Sequence, residues 1–270
     1  MHSFRDRVAV VTGAASGMGR HTAIELARRG CHVAISDLNL AGLEETAEQV
    51  RAQNRNVSVH VVDVADRQAM SDFADAVIAE HGAVHIVVNN AGVSLTVNFE
   101  DQSLDDLEWI VNINMWGVLY GCHYFLPHIR DQDEGHIVNI SSLFGLIGVP
   151  SQSAYCMCKA AVKGFTESLD MELADTNIGV SCVHPGAIAT GIVTNGKQLT
   201  GDDDAKHAGK VIAKGMHPSA AANIICDAIG SGKKRVVVGR DAKVVETLQR
   251  MFPTYYRKLI VRFSKRQARS

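Results

Sequence analysis

The chain has 270 residues, 46% hydrophobic and 21% charged, with a formal net charge of −2. That composition is ordinary for a soluble globular protein, and the length suits one large α/β domain whose core needs neither a disulfide nor a metal. No run approaches the ~18 apolar residues of a membrane-spanning helix, and Met1 to Arg7 lacks the long apolar stretch of a signal peptide. The six cysteines show no zinc or redox spacing, so a reducing, cytoplasmic setting is expected.

In chain order, Val8-Ala9-Val10-Val11 reads as a buried strand closed by Thr-Gly, and a helix follows from about Gly17 to Arg29, ended by Gly30. His32 to Ser36 is a second strand and Leu40 to Gln53 a second helix. Val57 to Val62 is a third strand ending at Asp63, and Gln68 to Glu80 a third helix. Val84 to Val88 is a fourth strand, ending at Asn89-Asn90-Ala91-Gly92. A long helical stretch runs from about Ser103 to Ile129. His136 to Ile140 is a fifth strand, Ser153 to Ala174 a long helix, Gly179 to Val183 a sixth strand and Arg235 to Val238 a seventh. Strands alternating with helices imply a parallel sheet covered on both faces, and the continuous apolar runs suit strands buried on both sides. The expected organisation is one catalytic domain over residues 1–249 and a basic tail over 250–270.

Thr12-Gly13-Ala14-Ala15-Ser16-Gly17-Met18-Gly19 lies between a strand and a helix. Glycines there let the backbone turn tightly and let a pyrophosphate approach, with the following helix aiming unpaired N–H groups at the phosphates. Asp37 ends the second strand, where a carboxylate can accept hydrogen bonds from the adenosine ribose hydroxyls and would repel a 2′-phosphate. One such like-charge pair at 4 Å is worth ~4 kcal/mol at an effective dielectric of 20. The nearby Ser16 and Leu38 are not basic, so NAD(H) is expected over NADP(H), with Arg20 the residue able to reverse the preference.

Tyr155 and Lys159, four apart on a helix, share one face. A nearby ammonium, and the positive charge of an oxidised nicotinamide, favour the phenolate and bring the tyrosine toward the range useful for acid–base work. Ser142 closes the fifth strand, where a hydroxyl can steady charge on a substrate oxygen. Among the twelve histidines there is no His-Glu-x2-His pattern, so no metal is expected. His184 reads as structural.

Thr12 to Gly19, Asn89-Asn90-Ala91-Gly92, Tyr155-x3-Lys159 and Pro185-Gly186 together resemble the short-chain dehydrogenase/reductase family over roughly residues 5 to 240. The resemblance implies a Rossmann-like, doubly wound, seven-stranded parallel sheet, usually in a homotetramer or homodimer. It implies that Asp63 and Val64 contact the adenine, that Asn90 lies near its ribose beside Ala91 and Gly92, and that Pro185, Gly186, Ile188 and Thr190 hold the nicotinamide end. It also selects Ser142 over Ser141, thirteen residues before the tyrosine, and Asn114 over Asn112, in a kinked helix turn serving a proton relay to Lys159.

Ser94, Leu95 and the run Leu143-Phe144-Gly145-Leu146-Ile147-Gly148-Val149 are expected to line an apolar pocket, which suggests a hydrophobic secondary alcohol or ketone. Residues 191–217, rich in glycine, lysine and aspartate, read either as a lid over that pocket or as a solvated loop. The tail interleaves Phe252, Tyr255, Tyr256, Leu259 and Phe263 with Arg257, Lys258, Arg262, Lys265, Arg266 and Arg269. It could lie on an anionic membrane, pack on a partner subunit or fray into solvent; basic residues alone do not indicate nucleic acid. Two other readings stay open, an NADP(H)-dependent carbonyl reductase and a non-catalytic nucleotide sensor, though a sensor would have no need of Ser142, Tyr155 and Lys159.

Overall fold

The structure, a computed structural model, describes residues 1, 3–192, 196–198 and 213–258. Its first half alternates β1 (Val8–Thr12), α1 (Gly17–Arg28), β2 (His32–Asp37), α2 (Leu40–Arg51), β3 (Val57–Val61), α3 (Arg67–His81) and β4 (Ile86–Asn89). A two-residue strand β5 (Leu95–Thr96) and α4 (Leu104–Val111) follow. Then come a π-helical turn (Asn112–Trp116), α5 (Gly117–Arg130) and β6 (Gly135–Ile140). The second half continues with α6 (Ser153–Glu172), β7 (Ile178–Pro185), β8 (Lys197–Gln198), α7 (Pro218–Ser231), β9 (Arg235–Val238) and α8 (Arg240–Met251).

Seven strands form one parallel sheet in the order β3-β2-β1-β4-β6-β7-β9. The chain winds outward from β1 in one direction and returns to wind the other way from β4. The carboxyl ends of β1 and β4 therefore flank a crevice, the place where doubly wound sheets hold ligands. Every residue of β1 is buried, and its side chains alternate between two apolar layers. Ala9 and Val11 pack with α1, α2 and α7, whereas Val10 packs with α3, α5 and α6. That is why the sequence reads there as an unbroken apolar run.

Three differences from the sequence reading have physical causes. The helical stretch expected over Ser103 to Ile129 is broken at Asn112–Trp116, because the side chain of Asn114 turns inward to bond the backbone of Val93. A π turn keeps the chain helical and needs no breaker residue, so the apolar run alone does not mark it, although the family resemblance implies a kinked turn at Asn114. Helix α7 carries a local start signal that the sequence reading passed over: Pro218 at its first turn and His217 accepting the Ser219 N–H. Helix α8 crosses the boundary expected at 249/250, and beyond it Tyr256 is buried against Leu143, Ile147 and Ala242. The end of the catalytic body thus extends into what the sequence presented as tail. Residues 193–195 and 199–212 of the expected lid, and 259–270 of the tail, lie outside the described residues.

Candidate active site

At the end of β1 the chain reverses through Gly13 and Gly17, both with positive φ (+66° and +53°). A side chain at Gly13 would meet Ala91 Cα at 2.8 Å, and one at Gly19 would strike the Gly13 carbonyl. The loop is therefore pressed against the β4 end, and only hydrogen atoms fit between them. Thr12 Oγ1 accepts the N–H groups of both Asn90 and Ala91, each at 3.0 Å. The Asn90 amide donates to the carbonyls of Thr12 and Gly13 at 2.9 and 3.1 Å. Both Asn90 donors are thus engaged in joining the two strand ends, a holding role beyond the ribose proximity that the resemblance implies.

Asp37 Oδ2 accepts the Ala15 N–H at 3.1 Å and Oδ1 that of Asn39 at 3.0 Å. This fixes a carboxylate beside the glycine loop, while Leu38 next to it and Ser16 are exposed and Met18 is half-buried against the core. Arg20 pairs with Glu45 at 2.8 Å and donates to the carbonyls of Ala15 and Gly42. Its guanidinium is occupied within the loop. Asp63 is exposed at the next strand end, its carboxylate accepting the Ala65 N–H at 2.9 Å, and Val64 is buried against Gly117.

The turn after β7 closes the crevice from the other side. Gly186 N–H donates to Val238 O at 2.8 Å, Ile188 bridges to Met216, and Thr190 reaches the loop so closely that a side chain at Gly17 would touch its Cγ2 at 3.1 Å. Asp241, at the start of α8, accepts the Ala187 N–H at 2.7 Å and fills the space that a side chain at Gly186 would need. Sequence reasoning missed Asp241, since its partner lies 54 residues away and no local motif marks it.

Tyr155 and Lys159 share the inner face of α6, with the Lys159 ammonium 5.8 Å from the Tyr155 ring centre. The Tyr155 hydroxyl is hydrogen-bonded to Ser142, and Phe144 meets the same ring edge-on with 6.2 Å between centres. Ser141 points the opposite way and donates to Lys159 O at 2.7 Å, so the adjacent serines divide between tying β6 to α6 and facing the phenol. His184 is fully buried, and its Nδ1 lies 3.2 Å from the carbonyl oxygen of Ser142, which it holds in place.

Lys159 Nζ donates to Ile140 O at 3.0 Å. Asn114 is completely buried, its Oδ1 accepting the Val93 N–H and its Nδ2 donating to Val93 O, both at 2.8 Å. Gly92 lies between them: a Cβ there would be 3.0 Å from Asn114 Oδ1 and 3.4 Å from Lys159 Nζ. The missing side chain leaves room in front of the ammonium. The residues thus fit a dinucleotide, with a glycine cradle, a carboxylate fixed beside it by backbone N–H groups and a gap at Gly92 next to the buried lysine.

Burial sets the electrostatics. Desolvation pushes the Tyr155 phenol up to about 12, opposed by the Ser142 hydrogen bond. It brings the Lys159 ammonium down to about 8, opposed by the neighbouring thiols of Cys158 and Cys182. The sequence reading expects the lysine to draw the phenol downward, but in the protein alone desolvation is the largest influence on both groups.

Of the expected pocket residues, Phe144 and Val149 keep partly open surface. Ser94 and Leu143 are buried: Ser94 O accepts the Lys197 N–H at 3.0 Å, and Leu143 packs with Tyr256. Leu95 is core, packed with Ile110 and Tyr155. All three are buried, so they offer little open surface to a ligand. Lys197 itself binds Asp106 Oδ1 at 2.6 Å and lies 4.5 Å from the Trp109 ring centre, tying β8 down on α4.

The comparisons with known proteins agree with this geometry. The family model for short chain dehydrogenase matches residues 7–199. The oxidoreductase SadH of Mycobacterium tuberculosis is 42% identical over 264 residues, 96% of each chain. A cyclohexanol dehydrogenase of Acinetobacter sp. is 34% identical over 193 residues, 71% of this chain and 77% of the relative. A short chain dehydrogenase/reductase from Burkholderia phymatum, solved in complex with NAD, superposes with a TM-score of 0.87 at 28% identity, covering 93% of this chain and 95% of that one. With a Rossmann-like sheet, a glycine loop at its switch point and a buried tyrosine–lysine pair beside it, the chain belongs to the short-chain dehydrogenase family, NAD(P)-dependent oxidoreductases of alcohols and ketones.

Proposed function

We propose that this protein interconverts apolar secondary alcohols and their ketones using NAD(H). The observation that carries the reading is the Tyr155 hydroxyl hydrogen-bonded to Ser142, one helical turn from the Lys159 ammonium and at the mouth of the β1–β4 crevice. The bound nicotinamide would supply or accept the hydride, and its positive oxidised form would favour the phenolate. Tyr155 would move the proton at the substrate oxygen, donating it in reduction and taking it in oxidation. Ser142 would donate a hydrogen bond to that same oxygen. Lys159 would hold the ribose hydroxyls and, with Asn114 fixing the π turn, keep the proton path open.

For NAD(H) over NADP(H) the support is electrostatic. Asp37 is held at the loop by two backbone N–H groups, and Arg20 is occupied by Glu45 and two carbonyls. A 2′-phosphate would face a carboxylate with that cation already engaged. Phe144 and Val149 at the pocket's open surface favour an apolar substrate, and the cyclohexanol dehydrogenase relative suggests cyclic secondary alcohols first.

The same reading includes self-association. Trp116, Tyr120, His123 and Phe165 line a groove of about 470 Å³ against α5 and α6, and Trp116 is 41% exposed. Six unpaired cysteines suit a cytoplasmic setting. The deciding assay follows NADH absorbance with a panel of cyclic and aryl-substituted secondary alcohols, beside Tyr155→Phe. Turnover by the wild type and its loss in the variant support the proposal. Equal inertness of the two across the panel, with NAD still bound, would overturn it.

A further inference from the structure

The C-terminal region combines basic charge with exposed apolar groups. Counting along residues 250–270 gives seven Lys and Arg and no Asp or Glu, in a chain whose overall net charge is −2. Within the described part of that region, Met251, Phe252 and Tyr255 expose 66%, 48% and 66% of their surface. Val244, 67% exposed, lies two helical turns before Met251 on the same side of α8. Arg240, Lys243, Arg250, Arg257 and Lys258 are exposed among them. The acidic residues of α8 are engaged: Asp241 with the Ala187 N–H, and Glu246 with Arg235 and, at 3.9 Å, Arg250.

This face is attached to the active site. Tyr256 is buried against Leu143 and Ile147, in the segment that follows Ser142, and Ala242 of α8 packs into the same cluster. One side of residues 240–258 therefore backs the pocket wall, and the other presents large apolar groups interleaved with cations.

We propose that this outer side docks on an anionic lipid bilayer. Cations interleaved with exposed aromatic and aliphatic groups match an interface where headgroup phosphates lie just above acyl chains. Nucleic acid would satisfy the cations and leave Met251, Phe252 and Val244 in water. A second copy of the chain would have to bring acidic and apolar groups together in one patch. Docking is peripheral: among the described residues no helix is long and apolar enough to cross a membrane. The functional consequence, which rests on the reading of the pocket as an apolar-alcohol site, is that a lipid-dissolved substrate reaches the pocket from the surface on which the protein sits.

The test is co-sedimentation of the full chain with vesicles of phosphatidylcholine alone or mixed with phosphatidylglycerol, at low and high salt. Binding is read without turnover, so failure here is separable from failure of the catalytic reading. The expected result is at least about tenfold tighter binding to the anionic vesicles, abolished by high salt. Arg257→Glu combined with Lys258→Glu should weaken binding about tenfold, and Phe252→Ser severalfold, each with an unchanged melting temperature and gel-filtration volume. Equal binding to both vesicle types, or undiminished binding by both variants, overturns the proposal. So does a variant that changes the elution volume while wild type ignores lipid, which would assign the face to a second copy.

Discussion

The two halves of the active site are built on opposite principles. On the β1–β4 side, recognition comes from absent side chains and from backbone: Gly13, Gly19 and Gly92 leave space, and Thr12 and Asn90 lock two strand ends together. On the α6 side, the working parts are side chains carried into the interior, where desolvation moves Tyr155 to about 12 and Lys159 to about 8. The first half depends mainly on shape and backbone contacts. The second depends on charge and answers to whatever is bound beside it. Substitution should therefore break the halves separately.

The largest separation is expected from Tyr155→Phe. Loss of the proton-transferring hydroxyl should lower kcat about 10³-fold, while NAD(H) affinity measured by nucleotide fluorescence changes little. A parallel fall in affinity would mean that the halves are not separable. Gly19→Ala should do the reverse. Its new methyl strikes the Gly13 carbonyl and presses on the Asn90 amide, so NAD(H) binding should weaken on the order of 10²-fold. Its melting temperature, followed in parallel, distinguishes a displaced loop from an unfolded one.

A third test concerns pH. His184, which holds the Ser142 carbonyl, is lowered by burial from 6.5 to about 4. Above pH 6.5 both folded and unfolded chains keep it neutral. Between pH 6.5 and about 4 only the unfolded chain takes up the proton, so stability falls as pH falls through that window. At pH 5 the loss from this one group is about 2 kcal/mol. Urea unfolding of wild type and His184→Gln at pH 7 and pH 5 measures it: the variant should lose about that much less. An identical decline in both proteins would place the acid sensitivity elsewhere, with His136, lowered to about 3, the next candidate. The smallest effect should come from Asp37→Ser, which removes the charge proposed to face the adenosine ribose. The NAD/NADP ratio of kcat/KM should fall about tenfold, less than a close ion pair would give because Asp37 is partly open to screening solvent.

The same division explains what could be read from sequence. The glycine loop, the carboxylate ending β2, the serine ending β6 and the tyrosine–lysine spacing are local signals, each carried by a few consecutive residues next to a strong apolar run. Three things were hidden. The π turn carries no breaker residue, so Ser103 to Ile129 looked like one helix, and only the family resemblance pointed to a kink at Asn114. Leu143 looked like pocket surface because neighbours along a chain do not reveal which side α8 and Tyr256 will cover, and Ser94 because its partner Lys197 lies far along the sequence. Asp241 acts on a turn far away in sequence, and only the closure of β7 against β9 brings the two together.

The π turn at Asn112–Trp116 has a mechanical consequence of its own. One extra residue in a helix shifts the angular phase of everything beyond it by roughly 100°. Before the turn, Ile110 points into the cluster around Tyr155; after it, Val118, Cys122 and Phe125 point at the sheet. The turn acts as a joint that lets α4 pack toward the Tyr155 cluster while α5 keeps its apolar face on the sheet.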